Sequence, residues 1–133
     1  MPRKMARLSP LEASVMGVVW ELGDCTSAEV IERFAEIRPL APTTVRTVLT
    51  KLREKGYVKQ IPSMNRGYKF RAAVSREPVA RTLLGEWTSS LFRGAPQRAI
   101  ACLLDSDDID EADLDEIRRM IDERKRRLKG GKS

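Results

Sequence analysis

Apolar residues recur at helical spacing in six stretches of this chain, interrupted once by a pair of alternating segments. Ser9-Pro10 precedes Leu11, Val15, Met16, Val18, Val19 and Leu22, so an N-cap and a first-turn proline open a helix with a broad apolar face that stops at Gly23. Trp20, near its end, reads as a core residue, because an indole at helical spacing among valines usually packs. Thr26 or Ser27 caps a second helix carrying Ala28, Val30, Ile31, Phe34 and Ile37, until Pro39 interrupts it. Pro42 begins a third, from about Thr43 to Lys55, and Gly56 supplies the left-handed residue that ends it.

The period then changes from 3.6 to two. Tyr57-Val58-Lys59-Gln60-Ile61 and Tyr68-Lys69-Phe70-Arg71-Ala72, separated by Pro62 to Gly67, predict a β-hairpin in which Lys69 and Arg71 share the face opposite Tyr68 and Phe70. Three helices followed by a hairpin with a basic tip is the order of a winged helix-turn-helix, whose later helix enters the major groove. The predicted fold class is therefore mainly α with a small β-hairpin wing, over residues 1–73.

Beyond the hairpin, Ser75-Arg76-Glu77-Pro78 opens a fourth helix lined by Val79, Leu83, Leu84, Trp87, Leu91 and Phe92, ending near Gly94. Ala95 to Leu104 gives a fifth, with Ile100, Leu103 and Leu104; Asp110 to about Lys129 gives a sixth, with Leu114, Ile117, Met120, Ile121 and Leu128. Three amphipathic helices strung after a complete domain cannot easily bury their apolar stripes against one another. Residues 74–133 thus read as a helical dimerisation region, with Val79, Leu83, Trp87, Leu91, Ile117 and Ile121 as its contacts. A helical cap folded onto the N-terminal domain is the alternative.

Charge sharpens this division. Residues 1–73 hold 13 Lys and Arg against 7 Asp and Glu, whereas residues 74–133 hold 12 of each, so the whole net charge of +6 lies in the first part. A basic module joined to a neutral one suits a nucleic-acid reader with a separate assembly region. On the third helix Val45, Val48, Leu49 and Leu52 gather in one sector of about 100°, opposite Thr43, Thr47, Thr50 and Glu54. Arg46 and Arg53 flank that outer sector on one side, Thr44 and Lys51 on the other. Hydroxyls can bond bases or phosphates, a threonine methyl can touch a thymine methyl, Arg46 can bond guanine or phosphate, and Lys51 phosphate. Arg66, Lys69 and Arg71 fit a wing lying along the backbone, and Arg3, Lys4 and Arg7 could follow it too.

Other classes fare badly. The chain lacks histidine, which removes His-based acid/base relays and HExxH zinc sites, and no phosphate-cradling glycine loop is present. Cys25 and Cys102 lack CxxC spacing and suggest neither a disulfide framework nor a metal site. The acidic run from Asp105 to Asp113 misplaces the turn glycine of a calcium loop and reads as a linker and a negatively charged helix start. No enzyme activity and no cofactor are expected. No apolar run approaches the roughly 18 to 20 residues that span a bilayer, and the basic start does not read as a secretion signal, so a cytoplasmic protein is expected. A winged helix used to bind an acidic protein partner is the competing function.

Specific stretches point further. Leu8-Ser9-Pro10-Leu11-Glu12 to Val19-Trp20, Ala41-Pro42-Thr43-Thr44-Val45-Arg46-Thr47-Val48-Leu49 through Lys55-Gly56-Tyr57, and Val74-Ser75-Arg76-Glu77 resemble the penicillinase-repressor (BlaI/MecI-type) family of bacterial regulators over nearly the whole chain. The resemblance implies a homodimer that represses genes by occupying a near-palindromic operator in double-stranded DNA. Family members often carry lysine at the position of Thr43. The family's usual upstream partner is a membrane-bound sensor peptidase that triggers cleavage at an Asn-Phe bond in the dimerisation region. Here the comparable stretch reads Ala99-Ile100-Ala101-Cys102-Leu103-Leu104, and the bond is absent. The cysteine cluster that ends copper-responsive relatives is absent as well.

Overall fold

The computed structural model describes residues 6–64 and 67–131, and the chain divides into two units, residues 1–81 and 82–133. In the first, Ser9 opens α1 (Pro10–Leu22) with a reciprocal cap: its Oγ accepts from the Glu12 N–H at 3.1 Å while Glu12 Oε1 accepts from the Ser9 N–H at 2.8 Å. Thr26 and Glu29 repeat the device at α2 (Ser27–Ala35). That helix is shorter than the apolar pattern predicts, and Ile37 is 59% exposed instead of lining its inner face. Pro39 disfavours helical geometry at Arg38, and the N–H groups of Ile37 and Arg38 both close on the Phe34 carbonyl.

The third helix, α3 (Pro42–Glu54), turns Val45, Val48, Leu49 and Leu52 inward, and the chain reverses at Gly56, where φ is +88°. Val15, Met16 and Val19 of α1, Val30 of α2, and Val45, Leu49 and Leu52 of α3 are wholly excluded from solvent and form the core. The hairpin pairs β1 (Val58–Pro62) antiparallel to β2 (Tyr68–Ala72), with Val58 opposite Ala72 and Pro62 opposite Tyr68. Pro62 is tolerated there because it ends the strand. Tyr57 stays outside the ladder, buried, with its hydroxyl donating to the Ala6 carbonyl at 2.6 Å.

A third, minimal strand borders the hairpin. Cys25 donates its N–H to the Phe70 carbonyl at 3.0 Å and accepts from the Phe70 N–H at 2.6 Å, so the turn between α1 and α2 is sewn to β2. Burial, reinforced by the charges of Glu29 and Asp24, pushes the Cys25 thiol up to about 11. This cysteine stays a protonated, inert core group near neutral pH.

The helix α4 (Arg76–Phe92) starts in the first unit; its later turns, with α5 (Pro96–Leu104) and α6 (Glu111–Gly130), make up the second. Asp110 and Asp113 cap α6 reciprocally, which accounts for part of the acidic run. None of these three helices buries a residue. Among the described residues no helix is long and apolar enough to cross a membrane.

Candidate nucleic-acid interface

The inward residues of α3 fix which of its side chains face water. Thr43, Arg46, Thr47, Thr50 and Lys51 are exposed and Thr44 is half-buried. Thr50 Oγ1 donates to the Arg46 carbonyl at 3.0 Å, so its proton is committed to the helix and its oxygen acts outward as an acceptor. Thr44, Thr47 and Lys51 line a cleft of about 350 Å³ with Ser9, Leu11 and Glu12 of α1, which places two helix N-termini beside the outer face of α3.

The cations of the first unit fall into two groups. Arg33 pairs with Glu21 and Glu36, Arg71 with Asp24, and Lys55 with Glu12. Arg38, Arg46, Lys51, Arg53, Lys59 and Lys69, by contrast, make no ion pair among the described residues, and of these Arg46, Lys51 and Arg53 belong to α3. The Lys55 pair is structural: its ammonium bonds Glu12 Oε1 at 2.7 Å and the Arg7 carbonyl at 2.9 Å, joining the end of α3 to the start of α1. Burial raises the Glu12 carboxyl, but the bonds from Lys55 and the Ser9 N–H, with the Lys55 charge, outweigh it and hold the group below its ordinary value of 4.5. Glu12 is only 5% exposed, and its Oε1 accepts from both the Ser9 N–H and the Lys55 ammonium.

Of the wing residues expected on DNA, Lys69 is half-buried, and Arg66 lies outside the described residues. Arg71 is exposed but engaged: its Nε and Nη2 donate to the two carboxylate oxygens of Asp24 at 2.9 and 2.7 Å. The Arg71 hydrogen bond and charge pull the Asp24 carboxyl below 3.8, and Asp24 in turn raises the guanidinium. A separate bond from Arg53 Nη1 to Gln60 Oε1, 2.7 Å, ties α3 to β1. Sequence reasoning missed Asp24 and Lys55. The Ser9-Pro10-Leu11-Glu12 spacing is a legible capping box and could have flagged Glu12; nothing local marks Asp24 as the partner of a residue 47 positions away.

Of the side chains expected to form a dimer contact, Val79, Leu83 and Ile117 are half-buried, while Trp87, Leu91 and Ile121 are 47%, 73% and 52% exposed.

Three helices, a short bridging strand and a hairpin wing define a winged helix-turn-helix protein. The chain belongs to the penicillinase-repressor family, whose model matches residues 8–123. It is 33% identical over 122 residues to the transcriptional regulator BlaI of Mycobacterium tuberculosis, covering 90% of this chain and 86% of that one. It is 19% identical over 124 residues to the methicillin resistance regulatory protein MecI of Mammaliicoccus sciuri, covering 93% of this chain and all of that one. Among solved structures, a MarR family protein from Bacillus stearothermophilus shares the fold, with a TM-score of 0.50 and 17% identity over 93% of this chain and 77% of that chain.

Proposed function

We propose that this chain is a cytoplasmic transcriptional repressor that binds a near-palindromic operator as a homodimer, with α3 in the major groove and the hairpin along the phosphate backbone. The observation that carries this reading is the exposed outer face of α3, which brings threonine hydroxyls and cations together on one helix. Arg33, Lys55 and Arg71 are satisfied by carboxylates, whereas among the described residues Arg46 and Lys51 make no ion pair and share α3 with the exposed Thr43, Thr47 and Thr50. Cations held in reserve on a helix rich in β-branched threonines suit a polyanion, since threonine is a poor choice for an idle helix surface.

Arg46 and Thr47 are the base readers in this scheme, Thr43 and Thr50 add acceptors and methyl contacts, and Thr44 and Lys51 face phosphates from the cleft side. α3 also opens without a side-chain cap and without an acid in its first turn, leaving its amides and positive dipole end for a phosphate. Lys69 would follow the backbone, with Arg66 of the sequence between the two strands as a further candidate, and Arg71 would do so once released from Asp24.

Dimerisation follows from the second unit. Its helices carry Leu91, Leu103 and Ile121 more than half exposed, a surface that isolated soluble chains avoid and that a two-fold partner would bury on both copies at once. Val79, Leu83, Trp87, Leu91, Ile117 and Ile121 are the proposed contacts. A dimer would set two copies of α3 on half-sites about 34 to 36 Å apart.

The test is fluorescence anisotropy with the chain's own promoter fragment and a scrambled duplex of equal length. Arg46→Ala and Thr47→Ala should each weaken specific binding by about 1 to 3 kcal/mol while leaving the thermal melt in place. Wild-type affinity in both variants removes α3 as the reader. Equal affinity of the wild type for both duplexes favours the protein-interaction alternative.

A further inference from the structure

Trp20 does more than fill space. In the last turn of α1 its Nε1 donates to the Val74 carbonyl at 2.9 Å, and the Arg76 guanidinium carbon lies 5.9 Å from its ring centroid. Val74 lies in the joint between β2 and α4, which consists of Ala73, Val74 and Ser75, and Arg76 is the first residue of α4. The Ala73 N–H donates to the Tyr57 carbonyl at 2.8 Å. Two of the three joint residues are therefore held by their backbone atoms, one by Tyr57, the residue before β1, and one by α1. A flexible tether would be longer, glycine-rich and free along its backbone. Instead, α4 begins at Arg76 directly after the tied residues and runs unbroken to Phe92. Leucine or phenylalanine would fill the same half-buried position; only an indole carries a donor that reaches the main chain.

We infer that Trp20 is a positioning residue of operator recognition: by holding the β2–α4 joint it fixes the direction in which α4 leaves the winged helix, and so sets the half-site spacing that a dimer accepts. The inference rests on the dimeric, DNA-reading function proposed above. Each added base pair moves the second half-site by about 3.4 Å and rotates it by about 35° around the duplex. A tied joint cannot follow that displacement, whereas a loosened one can.

The experiment is selection from a library of random DNA duplexes by three full-length proteins: wild type, Trp20→Phe, and a variant with two glycines inserted between Val74 and Ser75. Trp20→Phe keeps an aromatic ring beneath Arg76 and removes the donor. All three should enrich the same half-site, since α3 is untouched. The wild type should accept one spacing between inverted copies. Both variants should spread over adjacent spacings, the preference for the best over the next falling at least about tenfold as the second reader loses its effective concentration.

A spacing preference as sharp in Trp20→Phe as in the wild type overturns the inference, as does a broad preference in the wild type. Loss of the half-site itself, in a Trp20→Phe protein that melts like the wild type, also overturns it, because Trp20 then acts on the reading helix. If Trp20→Phe does not fold, the insertion variant decides: broadened spacing supports the held joint, and sharp spacing refutes it. A wild type that enriches no sequence at all sinks the DNA-reading function instead.

Discussion

Asp24→Asn isolates what the wing arginine does. In the folded chain the Asp24 carboxylate takes both the Nε and Nη2 edges of Arg71, so the guanidinium charge is offset before any DNA arrives. The amide of asparagine keeps the shape of the turn but removes the negative charge. Wing geometry should survive, because the reciprocal backbone bonds between Cys25 and Phe70 hold the turn to β2 independently of the side chains. Each additional phosphate neutralised by a cation steepens the dependence of log affinity on log salt by about 0.9 for duplex DNA. One released arginine therefore makes the ratio of variant to wild-type affinity change by about 3.5-fold between 50 and 200 mM salt, with the gain at the low end.

Specificity should not improve, since phosphate contacts carry no sequence information. Anisotropy titrations of operator and scrambled duplexes at four salt concentrations measure both quantities. The double variant Asp24→Asn/Arg71→Ala should return the slope to that of the wild type, assigning the extra contact to Arg71. An unchanged slope in the single variant means that Arg71 does not reach phosphate even when freed. A shallower slope refutes the reasoning outright, because Asp24 would then be orienting Arg71 toward DNA rather than competing with it.

Three further outcomes follow from the packing. Glu12→Gln keeps an acceptor for the Ser9 N–H but loses the ion pair to Lys55, and should cost about 1 to 2 kcal/mol at neutral pH in urea unfolding. Because the folded-state carboxyl titrates below its ordinary value, that contribution is present above 4.5 and fades as pH falls through the folded-state value, so the two proteins should converge in stability in acid. Leu49→Ala removes a wholly buried side chain at the centre of the first unit and should lower stability by about 2 to 5 kcal/mol, read from the same unfolding curves. Leu91→Asp and Ile121→Asp place charge on side chains that are exposed within one chain; sedimentation at micromolar concentration should show the dimer dissociating, and a full-mass dimer in both variants would remove those residues from the interface.

How much of this could be read from the sequence depended on how far apart the interacting residues stand. Helix boundaries and the inner face of α3 came from spacings of three and four, and the structure places Val45, Val48, Leu49 and Leu52 inward as the wheel does. Where the pattern misled, a second local rule had won: the apolar period continues to Ile37, but Pro39 ends α2 early. The electrostatic partition was not legible, because a lysine that clamps two helices and a lysine held in reserve look alike in a string of letters. Lys55 and Lys51 differ only in that Glu12, 43 positions away from Lys55, happens to arrive within 2.7 Å of it. The same holds for Trp20, whose apolar neighbours in the chain argue for core, while its function in the fold is set by a carbonyl 54 positions on. Periodicity reports which face a side chain turns; the partner that decides whether its charge or donor is spent comes only from the tertiary fold. On this chain that distinction separates Arg46 and Lys51, which make no ion pair among the described residues, from Lys55, which holds the end of α3 to the start of α1.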